Sequence, residues 1–377
     1  MRFACVVFIF CLFPRMGRTQ DKVAVTAMTL WKDSMAVGRP IHWNYEQGVV
    51  LAGMQALWTR THDSTYFTYI RHTIDPYIGN DGNIRSYKEE DLSLDNINTG
   101  RVLLFLWKAT GQAKYKLAAD RLREQLRRQP RNAQGGFWHK KTYPDQMWLD
   151  GLYMAEPFYD HYALATGEDT DFTDIARQFI LMEKYARDPR TGLLYHGWDA
   201  SHREKWADSL TGCSPNFWAR AMGWYGAALV DVLEDFPKNR PGRDTLVAVF
   251  RRFAAAVSAV QDPGTGLWWD VLNYPGREGN YLEASASCLF VYTLAKGVRL
   301  GLLPSRFKAA ASRGYAGILH RFVTPDGHLD GTVSVSGLGG AHYRDGSYAY
   351  YLSEKVVRDD PKGIGAYLLA TAELGGR

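Results

Sequence analysis

Met147-Trp-Leu-Asp-Gly-Leu-Tyr-Met-Ala-Glu-Pro-Phe-Tyr-Asp-His-Tyr-Ala-Leu-Ala165 is apolar around most of a helix's circumference. So is Phe217-Trp-Ala-Arg-Ala-Met-Gly-Trp-Tyr-Gly-Ala-Ala-Leu-Val-Asp-Val-Leu233. A helix of that kind must be buried on all sides, whereas one with a single apolar stripe faces water. Stretches of the second kind lie between those of the first. Tyr115, Ala119, Leu122 and Leu126 form one stripe opposite Arg121, Glu124 and Arg128, and Leu246, Val249, Phe250, Phe253, Val257 and Val260 form another. Working outward by this periodicity predicts roughly twelve helices, beginning near residues 43, 64, 92, 113, 145, 170, 215, 242, 279, 304, 345 and 361. Buried and half-polar types alternate through most of the series. Pairing each inner helix with an outer one gives an all-α fold, an (α/α)6 barrel or six-hairpin toroid. An open α-solenoid is the alternative, and the uneven hairpin lengths argue against it.

The links between hairpins carry a short repeat. Asp188-Pro-Arg-Thr-Gly-Leu-Leu-Tyr-His196 parallels Asp262-Pro-Gly-Thr-Gly-Leu-Trp-Trp-Asp270, and Pro325-Asp-Gly-His-Leu-Asp330 is a fainter copy. A Pro/Gly turn followed by apolar and aromatic residues predicts short β-strands in the rim loops. No linker or change of composition divides residues 21–377, so they read as a single barrel domain.

The chain has 377 residues, 46% of them hydrophobic, enough for a large core. Its 12 Trp and 22 Tyr include rings of the kind on which sugars stack. The formal charge of +5 is spread out. The densest basic run, Arg121 to Arg131, is interleaved with Asp120 and Glu124 and reads as a solvated helix face, so no nucleic-acid partner is implied. The mild positive balance suits an anionic substrate. Arg2 followed by the apolar run Phe3 to Phe13 reads as an export signal over residues 1–20, placing the mature protein in the periplasm or outside the cell. The run is too short for a stable membrane span. Of four cysteines, only Cys213 and Cys288 lie beyond that segment, and neither belongs to a zinc-binding pattern.

In such a barrel the loops entering the inner helices surround one mouth, and polar residues embedded there in apolar sequence are candidates for chemistry. Asp150 is the foremost, hemmed in by Met147, Trp148, Leu149, Leu152, Tyr153 and Met154. A carboxylate so placed either finds a charge partner or keeps its proton, and in the second case it is a general acid. Asp95, in Leu94-Asp-Asn-Ile-Asn98, is the natural second carboxylate, with a helix N-cap as its other reading. Glu46, Glu156 and Glu283 also sit in buried-looking contexts. Arg220, between Trp218 and Trp224, suits a sugar carboxylate, or else an ion pair with Asp231 or Asp150. His196, ending a rim strand, is either a structural hydrogen-bonder or a pocket residue.

These stretches resemble the unsaturated rhamnogalacturonyl hydrolases, six-hairpin glycosidases related to the unsaturated glucuronyl hydrolases. The resemblance rests on Trp43-Asn-Tyr-Glu-Gln-Gly48, Leu94-Asp-Asn-Ile-Asn98, Met147 to Phe158, His196-Gly-Trp-Asp199, Phe217 to Tyr225, Tyr281 to Ser287 and Asp345 to Ser353. It implies an enzyme that removes a 4,5-unsaturated galacturonic acid from the non-reducing end of a pectin-derived oligosaccharide by hydrating the C4–C5 double bond. It implies Asp150 as the acid/base that protonates C4 and activates the water adding at C5, and Asp95 as the second acidic position. Tyr45, His139, Lys140, Trp148, His196, Trp218, Arg220 and Trp224 are the implied substrate-binding residues. No metal or cofactor is implied, and a monomer is expected. The rival readings are a glucuronyl hydrolase of the related branch, an (α/α)6 epimerase, which calls for a pair of pocket histidines, and a barrel that binds carbohydrate without reacting.

Overall fold

The computed structural model describes residues 21–32, 35, 42–168 and 171–375. The export signal expected over residues 1–20 lies outside the described residues. The helices are α1 (Lys22–Leu30), α2 (Tyr45–Thr61), α3 (Ser64–Ile74), α4 (Gly100–Thr110), α5 (Ala113–Arg128), α6 (Leu149–Thr166), α7 (Asp171–Ala186), α8 (Ala219–Asp235), α9 (Arg243–Ala259), α10 (Ala284–Arg299), α11 (Phe307–Arg321), α12 (Tyr348–Ser353) and α13 (Pro361–Leu374). Helices α2, α4, α6, α8, α10 and α13 each touch the next and close into an inner ring, α13 packing back on α2. Around them α3, α5, α7, α9, α11 and α1 each back one inner helix. This is the (α/α)6 barrel that the alternation of buried and amphipathic segments predicts. None of these helices is long and apolar enough to cross a membrane.

The last hairpin differs from the expected one. The segment near residue 345 forms only the six-residue α12, and α13 is the inner helix, buried along nearly its whole length. Its outer partner is α1, from the opposite end of the chain, so the ring is closed by its two termini. The reason lies in composition. In Gly363-Ile-Gly-Ala-Tyr-Leu-Leu-Ala370 small and apolar residues face every direction, and only an inner position buries them all. Closure also demands close approach. A Cβ on Gly365 would stand 2.5 Å from Val49 Cγ1 and 2.7 Å from Val49 backbone atoms. Gly365→Ala is therefore expected to cost about 1–3 kcal/mol by overpacking, read as a fall in thermal midpoint. An unchanged midpoint would contradict this contact.

The rim repeats shape the mouth. Asp188 accepts hydrogen bonds from the backbone and hydroxyl of Thr191, and Asp262 does the same for Thr265. Asp208 with Thr211 forms a further copy. Ladder structure is shorter than the repeats suggest. Strands β1 (Gln146–Trp148) and β2 (Gly197–Asp199) pair antiparallel, as do β3 (Thr332–Val333) and β4 (Val356–Val357). The segments ending at Leu194, Val271 and Leu329 make single bridges instead.

Candidate active site

Five short backbone contacts assemble the mouth. Pairing of β1 with β2 sets Trp148 opposite Gly197, and Leu149 N donates to His196 O, bringing His196 beside the start of α6. The bridge between Ser93 and Lys140, with Leu94 N donating to His139 O, sets His139 and Lys140 against the 3-10 turn Leu94–Asn96 that holds Asp95. The bridge between Trp218 and Val271 brings Asp270 to the start of α8. Tyr45 opens α2 at the same end.

Asp150 is the second residue of α6. A helix N-terminus favours a carboxylate, yet the acid is pushed up to about 7, first by burial and then by the negative charge of Asp95. Lys140 and Arg220 pull the other way and are outweighed. Its Oδ1 is buried without a hydrogen-bond partner among the described residues, and it lies 3.8 Å from His196 Nε2, which is equally unpaired. The group therefore exchanges a proton near neutral pH, and its Oδ1 is held by no hydrogen bond from the described residues.

Asp95 is the opposite case. Burial opposes its charge, but the Lys140 ammonium at 2.5 Å and His139 at 3.6 Å hold it below the usual carboxylate range. Asp95 in turn keeps Lys140 protonated. The two carboxylates thus divide into a neutralisable acid and a permanent anion, as environments that drive paired carboxyls apart tend to do. Both histidines are neutral at pH 7. Burial brings His139 down to about 3 and carries His196 well below its ordinary value.

Aromatic rings form the walls. His139 stacks on Trp148 at 4.5 Å, and Tyr143 stacks on Trp148 at 4.7 Å. His196 packs between the edge of Trp148 and the ring of Trp218, its Nδ1 bonded to Tyr351 Oη at 2.9 Å. The Arg220 guanidinium lies 4.8 Å over Trp218 and donates to Val333 O and Ser285 Oγ. Tyr45 is close enough to Asp95 and Arg220 to feel both charges. Asp150, Asp95, His139, Lys140, Trp148, His196, Trp218, Arg220 and Tyr45 are thus neighbours at one mouth. Trp224 is not with them: it stacks on Tyr153 at 4.6 Å in the wall between α6 and α8.

The alternatives left open by the sequence also resolve. Arg220 pairs with neither Asp231 nor Asp150; Asp231 takes Arg101 and Lys296. Glu283 caps α10 through Ala286 N and Ser285, and Glu46 pairs with Lys362. Glu156 lies two turns along α6 from Asp150, buried and held well above the usual carboxyl range by that burial. Three residues of the mouth escaped sequence reasoning. Asp270, fully buried and pushed up to about 8 by burial and then Glu283, accepts from Trp218 Nε1 at 3.1 Å. Tyr351 orients His196, and Arg344 bonds Tyr143 Oη and repels charge on both histidines. Asp270 had a signal, since it occupies the repeat position that His196 occupies in the other copy.

A closed double ring of helices with an aromatic mouth holding two carboxyls of opposed acidity defines a carbohydrate-processing barrel. Residues 19–375 match the model of Glycosyl Hydrolase Family 88, and the chain belongs to that family. The chain is a glycoside hydrolase. It is 44% identical to a solved family 105 glycoside hydrolase of C. acetobutylicum, with a TM-score of 0.89 over 93% of this chain and 98% of that one. It is 30% identical over 251 residues to the unsaturated rhamnogalacturonyl hydrolase YesR of Bacillus subtilis, covering 65% of this chain and 68% of the relative. Protein Atu3128 of Agrobacterium fabrum is 41% identical over 230 residues, 58% of this chain and 97% of that one.

Proposed function

We propose that this hydrolase removes a 4,5-unsaturated galacturonic acid from the non-reducing end of rhamnogalacturonan-derived oligosaccharides by hydrating the C4–C5 double bond. The observation that carries the reading is Asp150, a carboxyl with an unpaired oxygen and a proton affinity near neutrality. The double bond is an enol ether, because C5 bears the ring oxygen. Asp150 gives its proton to C4, and positive charge develops at C5 and the ring oxygen. The resulting carboxylate accepts a proton from the water that attacks C5. The product is a hemiketal, which opens to a ketone and releases the rhamnose-ended remainder. The anion of Asp95 faces the developing positive charge, and Lys140 and Arg220 attract the uronate carboxylate. Trp148 and Trp218, nearly fully buried, form the aromatic walls behind these groups. The name of the YesR relative supports the galacturonyl substrate. We further propose that residues 1–20 direct export to the periplasm or beyond, and that the mature protein acts as a monomer.

The test is loss of ultraviolet absorbance from the conjugated double bond, with an unsaturated galacturonyl-rhamnose disaccharide and an unsaturated glucuronyl disaccharide assayed in parallel. Fast decay with the first is expected. Decay with the second alone would keep the chemistry and contradict the substrate, and no decay with either would contradict both. Arg220→Ala is expected to raise KM about 10–100-fold, the size of a lost charge-assisted hydrogen bond, with a smaller fall in kcat. A fall in kcat at unchanged KM would contradict the carboxylate-binding role.

A further inference from the structure

At the end of the barrel away from Asp150 a cavity of about 700 Å³ opens, lined by Arg101, Asp231, Lys296, His161 and Asp235 among others. The charged side chains lining it are paired, and one carboxyl beside the lining has no partner among the described residues. Asp231 binds Arg101 and Lys296, each at 2.7 Å, and Glu234 binds Lys296 and Arg299. Asp160, on the buried side of α6, is fully buried, and neither of its carboxyl oxygens has a hydrogen-bond partner among the described residues. A buried carboxyl without a partner is costly unless it holds its proton or meets a cation. Two further ligand-type side chains stand beside it. His161 follows on α6, Asp235 ends α8, and one ligand atom from each of the three lies within 4.8 Å of the others. His161 Nε2 and Asp235 Oδ2 are 3.4 Å apart. Bonds of about 2.0–2.1 Å to a tetrahedral zinc ion place neighbouring ligands roughly 3.3 Å apart, so this pair already has a coordination edge.

We infer that Asp160, His161 and Asp235 form a binding site for a divalent transition-metal cation of the zinc class, clamping α6 to α8 at the far end of the barrel. One imidazole with two carboxylates selects against magnesium and calcium, which prefer all-oxygen shells. The fourth position faces the cavity and is filled by water. His161 is 29% and Asp235 48% exposed, so both side chains have room to close on an ion, while Asp160 gives the fixed floor.

The test uses the full chain, stripped with a chelator and titrated with Zn²⁺ by calorimetry, with Co²⁺ as the absorption probe of coordination. One equivalent is expected to bind, with the visible bands of four-coordinate cobalt and a rise in thermal midpoint. Asp235→Asn and His161→Gln, both at solvent-accessible positions, should each weaken binding at least as much as the ~10–100-fold seen when a group supporting a metal ligand is lost. Hydrolase activity of both variants should equal that of the parent protein. Absence of saturable binding, or binding undiminished in both variants, would overturn the site and leave Asp160 as a buried protonated acid.

Discussion

Asp150→Asn is expected to reduce kcat about 10²–10⁴-fold, the range for losing a positioned acid/base, with substrate still bound. Its effect on stability should run the other way and depend on pH. The carboxyl titrates near 7 in the folded protein against an ordinary 3.8. The folded state therefore holds this proton more tightly than the unfolded chain. The stability linked to it is intact below about pH 4 and is lost as pH rises through 7. Asparagine carries no such loss. At pH 8 the variant should exceed the parent protein by on the order of 3 kcal/mol, from roughly three pKa units at 1.36 kcal/mol each, less what residual solvent access screens. At pH 4 the two should unfold alike. Thermal or urea denaturation at both pH values, beside the kinetics, checks the pair of statements. Parent-like kcat would remove Asp150 from the mechanism, and equal stability at pH 8 would deny that its charge is destabilising there.

Asp95→Asn is the second large effect. A fall in kcat of about 10²-fold is expected, within the range for electrostatic stabilisation by a positioned group. The more particular consequence concerns the pH profile. With the Asp150 proton required, kcat of the parent enzyme should fall as pH rises through about 7. The Asp95 charge is one of the two causes that raise the Asp150 pKa, and Asp95 also neutralises Lys140 beside it. Removing the anion takes away that support and leaves the ammonium unopposed. Both changes move the alkaline limb toward lower pH. A limb that stays in place or moves upward would show that Asp95 does not tune Asp150.

The sequence displayed the barrel because burial writes a period into helices. Inner segments such as Phe217 to Leu233 are apolar all round, outer ones such as Ala113–Arg128 on one stripe. Segment boundaries were less legible where a rim strand or a 3-10 turn precedes the helix. The segment expected near 92 therefore becomes regular only at Gly100. Helix α1 escaped the periodicity reading, and its role as the outer partner of α13 joins residues more than 300 apart in the chain. The burial of Asp150 was legible from its apolar neighbours, which left open whether the carboxyl is structural or a general acid. The acidity of Asp95 was not legible, since it depends on Lys140, which a single loop bridge delivers. Likewise the bond between Trp218 and Asp270 spans 52 residues and has no periodic signature. Trp224, six residues beyond Trp218 on the same segment, turns instead into the wall against Tyr153.

In the proposed reaction Asp150 protonates C4 of an unsaturated uronyl ring. The most direct measurement is turnover of the unsaturated galacturonyl-rhamnose disaccharide in deuterated water, with the products followed by nuclear magnetic resonance. One deuterium at C4 of the released keto sugar and loss of the double-bond absorbance are predicted. Release of rhamnose with the double bond and its absorbance intact would show attack at the anomeric carbon and contradict the mechanism.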